Sequence, residues 1–191
     1  MTKIAIILGS TRPNRVGEQV AAWVHEIASG RSDAEYELVD LRDHPLPHLD
    51  EPLSPFLGQY QQDHTKAWAS TIAAFDGFVF VTPEYNSHTS SVLKNAIDYL
   101  HAEWTNKAVG IVSYGITGGS GAAGQLRKMC GQLGMADVSK TLPFSLRTDF
   151  EDYTVFKPSE YGAVTLTGLL DQVVAWSGAL APLRAEAVVT A

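Results

Sequence analysis

Three short segments of the 191-residue chain hold the side chains best suited to chemistry. The first, Gly9-Ser10-Thr11-Arg12-Pro13-Asn14-Arg15, sets two hydroxyls and two guanidinium groups just ahead of an apolar stripe at helical spacing. A helix start offers unpaired N–H groups and the positive end of its dipole, so this combination reads as a phosphate cradle. It is not a P-loop, because no Gly-Lys-Ser/Thr closes it, and it lacks the second and third glycines of a dinucleotide turn. The second segment, Pro83-Glu84-Tyr85-Asn86-Ser87-His88, gathers hydrogen-bonding groups and one aromatic ring, a set suited to the polar rim and face of a heterocycle. The third runs from Gly115 and contains Gly119-Ser120-Gly121-Ala122-Ala123-Gly124, which spells GxGxxG after an apolar run. Its first glycine lies well beyond Ser113, and Asp137 precedes the next strand instead of ending it, so the dinucleotide reading is set aside. Gly115, Gly118 and Gly119 are read instead as positions stripped of side chains, where backbone N–H groups can approach a flat ligand.

Each of these segments follows a short run rich in β-branched residues and precedes a helical stripe, the pattern of a parallel sheet covered by helices on both faces. Lys3 to Leu8 is apolar nearly throughout and reads as a central strand. Val16, Val20, Trp23, Val24 and Ile27 then mark an amphipathic helix that Gly30 stops. Tyr36 to Asp40 is a second strand, and the four prolines between Arg42 and Pro55 make that stretch a long loop. Trp68, Ile72 and Phe75 mark a second helix, Gly77 to Thr82 a buried strand, and Leu93, Ile97 and Leu100 a third helix with Ser90 or Ser91 as its N-cap. Ala108 to Ser113 is the fourth strand, and Leu126, Met129, Cys130 and Leu133 form the fourth helix. A weaker fifth strand lies around Val138 to Phe144, and a last helix opens at Leu166. Five strands alternate with five helices, so the loops from Gly9, Pro83 and Gly115 all leave strand carboxyl ends and gather along one edge of the sheet.

Composition narrows the partners. The formal charge of −7 repels nucleic acid and anionic membrane, so an anionic ligand needs a local basic exception. A lone cysteine makes no internal disulfide, and a chain of this length hides about 70% of its unfolded surface without one. The apolar runs are too short for a membrane span or a secretory signal, and a cytoplasmic location is expected. His44 and His48 are four apart, but Pro45 and Pro47 prevent the helix that would align them on a metal, so no metal site is expected. Cys130 falls on an apolar stripe and reads as a small buried hydrophobe.

The run Pro83-Glu84-Tyr85-Asn86 followed by Leu93-Lys94-Asn95-Ala96-Ile97-Asp98 is far more specific than composition. Together with Leu8-Gly9-Ser10-Thr11-Arg12, Ser113-Tyr114-Gly115 and Gly118-Gly119, it resembles the NADPH-dependent FMN reductase family, which includes chromate, azo-dye and quinone reductases. The resemblance covers about residues 3 to 135. It implies a single flavodoxin-like α/β domain over residues 1–191, with a doubly wound five-stranded parallel sheet in the order 2-1-3-4-5. It also implies one FMN per subunit, NADPH or NADH as electron donor, a small-molecule acceptor, and a homodimer or dimer of dimers. By motif match, Ser10, Arg12 and Arg15 hold the FMN phosphate. Pro83, Glu84, Tyr85 and Asn86 with Ser113, Gly115 and Gly118 border the isoalloxazine, and Thr11, Val16 and Tyr114 complete the implied cofactor-binding set. Many relatives carry a small residue and then proline where this chain has His88-Thr89-Ser90-Ser91, so its substrate mouth is expected to differ. His88 itself reads as a solvated loop residue.

In this reading NAD(P)H delivers hydride to flavin N5 and is replaced by a quinone, azo compound, free flavin or metal oxyanion, and no side-chain acid or nucleophile is needed. The competing reading is a flavodoxin-type one-electron carrier that does not oxidise nicotinamide, against which the arginine-bearing first loop argues. A hydrolase is weaker still: Gly118-Gly119-Ser120-Gly121-Ala122 falls one glycine short of a nucleophile elbow and has no assignable His and Asp partners.

Overall fold

The structure, a computed structural model, describes residues 1–189, with side chains described through residue 185. Five strands, β1 (Lys3–Leu8), β2 (Glu35–Asp40), β3 (Gly77–Pro83), β4 (Ala108–Gly115) and β5 (Ala136–Ser145), form one parallel sheet in the order β2-β1-β3-β4-β5. Parallel strands need crossovers, and α1 (Gly17–Ser29), α2 (Asp63–Ala73), α3 (Ser91–Asp98) and α4 (Ser120–Gln132) supply them. α5 (Glu160–Ala179) returns along the sheet and α6 (Ala181–Val189) follows it.

The pleat explains why the strands are apolar on both sides. Ile4, Ile6, Leu8, Val79 and Val81 pack with α1 and α5, whereas Ala5, Ile7, Phe78 and Phe80 pack with α2, α3 and α4. On the second face the Trp104 ring meets Phe78 edge-on at 4.8 Å and Phe80 at 6.0 Å, and its indole N–H donates to Ile97 O at 3.0 Å. Burying a ring of this size stabilises by roughly 1.5–3 kcal/mol, provided its polar end finds such a partner.

The elements differ from the sequence-based expectation mainly at their ends. β4 runs two residues past Ser113 because Tyr114 and Gly115 pair with Phe144 and Ser145 of β5. β5 extends to ten residues, with a register shift opposite Val109 and Ile111. The proline-rich loop holds a single 3-10 turn at Pro55–Leu57. A short hairpin, β6 (Phe150–Glu151) and β7 (Val155–Phe156), comes between β5 and α5. Asp152 and Tyr153 turn it with positive φ. Ser90 does cap α3: its hydroxyl oxygen accepts from Leu93 N–H at 3.1 Å and its O–H donates to Gly9 O. That second bond ties the first functional loop to the start of α3. None of the helices among the described residues is long and apolar enough to cross a membrane.

Candidate active site

The carboxyl ends of β1, β3 and β4 bring the three loops to one edge, at the point where the strand order reverses. The first loop is pinned at both ends. Gly9 N–H donates to Val81 O at 2.9 Å, and a side chain at Gly9 would sit 2.8 Å from Leu93 Cδ2 and 3.1 Å from Val81 O, so only glycine fits that crossing. Ser10 is buried; its hydroxyl accepts from Arg12 N–H at 3.4 Å and lies 3.5 Å from the Tyr85 hydroxyl. Asn14 turns the chain with φ 55°. The first backbone bond of the following turn is Gln19 N–H to Val16 O at 3.1 Å, so the preceding amides are the free donors of a helix start.

The two arginines of that loop diverge. Arg12 is exposed, and its backbone carbonyl accepts from Arg42 at 2.8 Å. Arg15 is buried and turned inward: it donates with both arms to Asp40 at the end of β2, to Glu18 at 2.9 Å, and to Ser10 O. Burial works against the Arg15 charge, and the hydrogen bonds it donates to Asp40 and Glu18 outweigh that, so the guanidinium is held more firmly protonated than usual. Burial likewise opposes ionisation of Asp40, yet the bonds from Arg15 and the Arg42 amide hold its carboxyl below the usual range.

Beneath the start of α1 lies Tyr114. A Cβ at Gly17 would press into its hydroxyl and stand 2.9 Å from Cζ. The hydroxyl is buried and has no partner among the described residues. Burial pushes its pKa up, so it stays protonated and can donate.

The second loop is a tight hairpin. Tyr85 N–H donates to His88 O at 2.9 Å and His88 N–H returns to Tyr85 O at 3.0 Å, while Asn86 and Ser87 turn with φ 52° and 63°, the two positive values of a type I′ turn. The Thr82 and Thr89 hydroxyls close its base at 2.7 Å. Glu84 N–H donates to Tyr114 O at 2.8 Å, while its carboxylate accepts from Gly121 N–H at 2.7 Å and Ala122 N–H at 3.2 Å. Glu84 therefore caps α4 from a different loop and favours the positive end of that helix's dipole. In the third loop Gly118 and Gly119 adopt φ 91° and 76°, and the Ser113 hydroxyl donates to Gly118 O at 2.7 Å. A Cβ at Gly119 would meet Ser113 Cβ at 2.9 Å, whereas one at Gly124 would meet nothing within 4 Å. The third glycine of a dinucleotide turn exists for close helix–strand packing, so Gly124 does not serve that purpose.

Eight residues singled out from the sequence, Arg12, Arg15, Val16, Pro83, Glu84, Tyr85, Tyr114 and Gly115, border one small cavity of ≈ 80 Å³ at this edge. Ser10 lies beside it through Tyr85, and Ser113 and Gly118 hold the turn behind Gly115. Asn86 forms the exposed tip of the hairpin, as does His88 beside it. Thr11 faces the other way, into a groove of ≈ 470 Å³ between residues 41–48 and α3. Two contributors escaped sequence reasoning. Asp40 had one signal, a carboxylate ending a strand beside the loop; Leu146, which lines the cavity and donates its N–H to Gly115 O at 2.8 Å, had none.

A parallel sheet in this order, with an anion-ready helix start after β1 and a glycine-rich turn after β4, defines the flavodoxin-like class. Within that class the chain belongs to the NADPH-dependent FMN reductase family, whose sequence profile matches residues 2–149. An NAD(P)H-dependent FMN reductase of Schizosaccharomyces pombe is 48% identical over 143 residues, covering 74% of this chain and 71% of the relative. A 2-hydroxy-1,4-benzoquinone reductase of a Burkholderia species is 34% identical over 142 residues, covering 69% and 71%. Among solved structures, the flavoenzyme NAD(P)H:(acceptor) oxidoreductase of Paracoccus denitrificans superposes with a TM-score of 0.69 at 22% identity, covering 93% of this chain and 98% of that one. The family makes this chain an oxidoreductase that uses FMN and NAD(P)H.

The residues present suit that cofactor. The Tyr114 hydroxyl is a buried donor awaiting an acceptor, next to a helix start and a free guanidinium, a donor set for a phosphate. A cavity of ≈ 80 Å³ takes a group the size of a few waters and is too small for a flavin ring.

Proposed function

We propose that the chain oxidises NAD(P)H through FMN held at this edge and passes the reducing equivalents to a small quinone-type or azo acceptor. Bound FMN supplies the hydride acceptor, flavin N5. Arg12, the Tyr114 hydroxyl and the free amides at the start of α1 hold the phosphate. Ser10 and Arg15 shape the loop from beneath, Ser10 through the Arg12 amide and Arg15 through the Ser10 carbonyl. Pro83, Glu84 and Tyr85 on one side and Gly115 and Gly118 on the other border the ring, the two glycines keeping side chains off the strand end. With FMN bound, backbone N–H groups of these loops that have no partner would supply electrostatic stabilisation to the reduced ring. The Tyr85–His88 hairpin, with Asn86 exposed at its tip, borders the mouth through which the second substrate enters.

The observation that carries this reading is the unpartnered Tyr114 hydroxyl under the start of α1, beside an exposed arginine, at the switch point of the sheet. The test is anaerobic addition of NADPH, then NADH, to FMN-loaded protein. Loss of the flavin's visible absorption and its return on adding benzoquinone is expected. Absorption unmoved by either nucleotide would favour a one-electron carrier.

A further inference from the structure

A cavity of ≈ 650 Å³ lies at the other end of the sheet from the flavin edge. Its walls come from the end of α2 and the turn into β3 (Ala73, Phe75, Asp76), from the segment between α3 and β4 (Ala102, Glu103, Lys107), and from Arg184 of α6. The volume is that of a small-molecule site. Much of the wall is apolar, and the buried Lys107 forms part of it.

The Lys107 ammonium, on a residue 6% exposed, donates to Ile72 O at 2.9 Å and lies 5.4 Å from the centre of the Phe78 ring. The bond to Ile72 O ends the last turn of α2, where a cation complements the helix dipole. It occupies one of three N–H groups. Among the described residues no carboxylate pairs with Lys107. Asp76 is taken by Arg184 at 2.8 Å and by Lys3 N–H at 2.9 Å, and Glu103 by the Tyr60 hydroxyl at 2.7 Å. Arg184 is also committed, donating to Asn106 O at 3.1 Å and Ser177 O at 3.0 Å. A buried charge without a counterion is costly, and the residue that carries this one lines a cavity.

We propose that this cavity binds a small monocarboxylate with an apolar body, its carboxylate on the Lys107 ammonium and its body against Phe75, Ala73 and Ala102. This site is separate from the flavin edge and does not depend on how that edge is read. Burial, helped by the nearby Arg184 charge and opposed by Asp76 and Glu103, lowers the Lys107 pKa to about 8. His101 is the remaining titratable group on the cavity wall. A bound carboxylate restores the counterion and favours the protonated amine.

Calorimetric titration of the FMN-saturated full-length protein with hexanoate tests this, with hexanol as the uncharged control. Hexanoate should bind at least about tenfold more tightly than hexanol, as a charge-assisted contact implies. Lys107→Met, similar in length and apolar, should bind hexanoate at least tenfold more weakly while FMN binding stays unchanged. Absence of hexanoate binding, equal affinity for hexanol, or undiminished binding by Lys107→Met would each overturn the proposal. The first two need only wild-type protein, so a folding defect in the variant leaves the test intact.

Discussion

Arg15 and Asp40 are joined by a two-armed ion pair across 25 residues of sequence, the guanidinium side chain 2% exposed and the carboxylate 23%. The pair fastens the turn after β1 to the carboxyl end of β2, and through the Ser10 carbonyl it sets the path of the first loop. Removing one partner of a buried pair leaves the other desolvated and unpaired, which costs roughly 3–5 kcal/mol; with Glu18 still in reach of Arg15, Asp40→Asn is expected at about 3 kcal/mol. Urea unfolding of wild type and variant gives the difference directly.

The same pair makes a pH prediction. Asp40 has a folded-state pKa below its unfolded value near 3.9, so its contribution is fully present above that pH and is lost as pH falls toward the folded value. The stability gap between wild type and Asp40→Asn should therefore be constant from about pH 7 down to pH 5 and shrink below about pH 4. A gap that widened on acidification would contradict the assignment.

The two loop arginines should behave differently on mutation. Arg12 is exposed and offers only its backbone carbonyl to Arg42. Arg12→Ala is expected to change stability by no more than about 0.5 kcal/mol and to weaken FMN binding by roughly ten- to 150-fold, the worth of one charge-assisted contact. Fluorescence titration with FMN measures the second effect and thermal unfolding the first.

Tyr114→Phe separates cofactor binding from folding. Its hydroxyl is buried without a partner, so deleting it should leave the FMN-free protein as stable or about 1 kcal/mol more stable. FMN should bind several-fold more weakly. A variant that lost stability and kept its affinity would show that the hydroxyl serves the fold alone.

The glycine motif of α4 offers a paired test. A Cβ at Gly121 would meet Ser87 O at 2.9 Å and Glu84 Oε2 at 3.0 Å, and at Gly124 nothing within 4 Å. Gly121→Ala should destabilise by roughly 1–3 kcal/mol through overpacking. Gly124→Ala should stabilise by about 0.5–1 kcal/mol, the gain of alanine over glycine inside a helix. Opposite signs in denaturant unfolding are the expected result; loss at both would revive a packing role for Gly124.

The centre of the sheet was legible because β1, β3 and β4 are buried on both faces, which leaves runs such as Ile4 to Leu8 and Phe78 to Val81 free of polar residues. Ser90 could be read as a cap from its place before an apolar stripe. The β6–β7 hairpin was not legible, since two-residue strands leave no periodicity to count. In the site, the sequence marked where the loops converge but not how charges pair within them. Arg15 and Arg12 look alike in sequence; a carboxylate 25 positions away turns one inward. Glu84 likewise looks like a ligand-facing acid until α4 presents its first amides to it. Such commitments depend on contacts between elements that no local pattern records.

The central claim is that the start of α1, with Arg12 and Tyr114, holds the phosphate of FMN. Comparing the affinities of FMN and riboflavin, which share the ring and differ in the phosphate, tests it most directly. Wild-type protein should bind FMN at least about tenfold more tightly than riboflavin, and Arg12→Ala should narrow that ratio chiefly by weakening FMN. Equal affinities for the two flavins in wild type, or a ratio untouched by Arg12→Ala, would contradict the account.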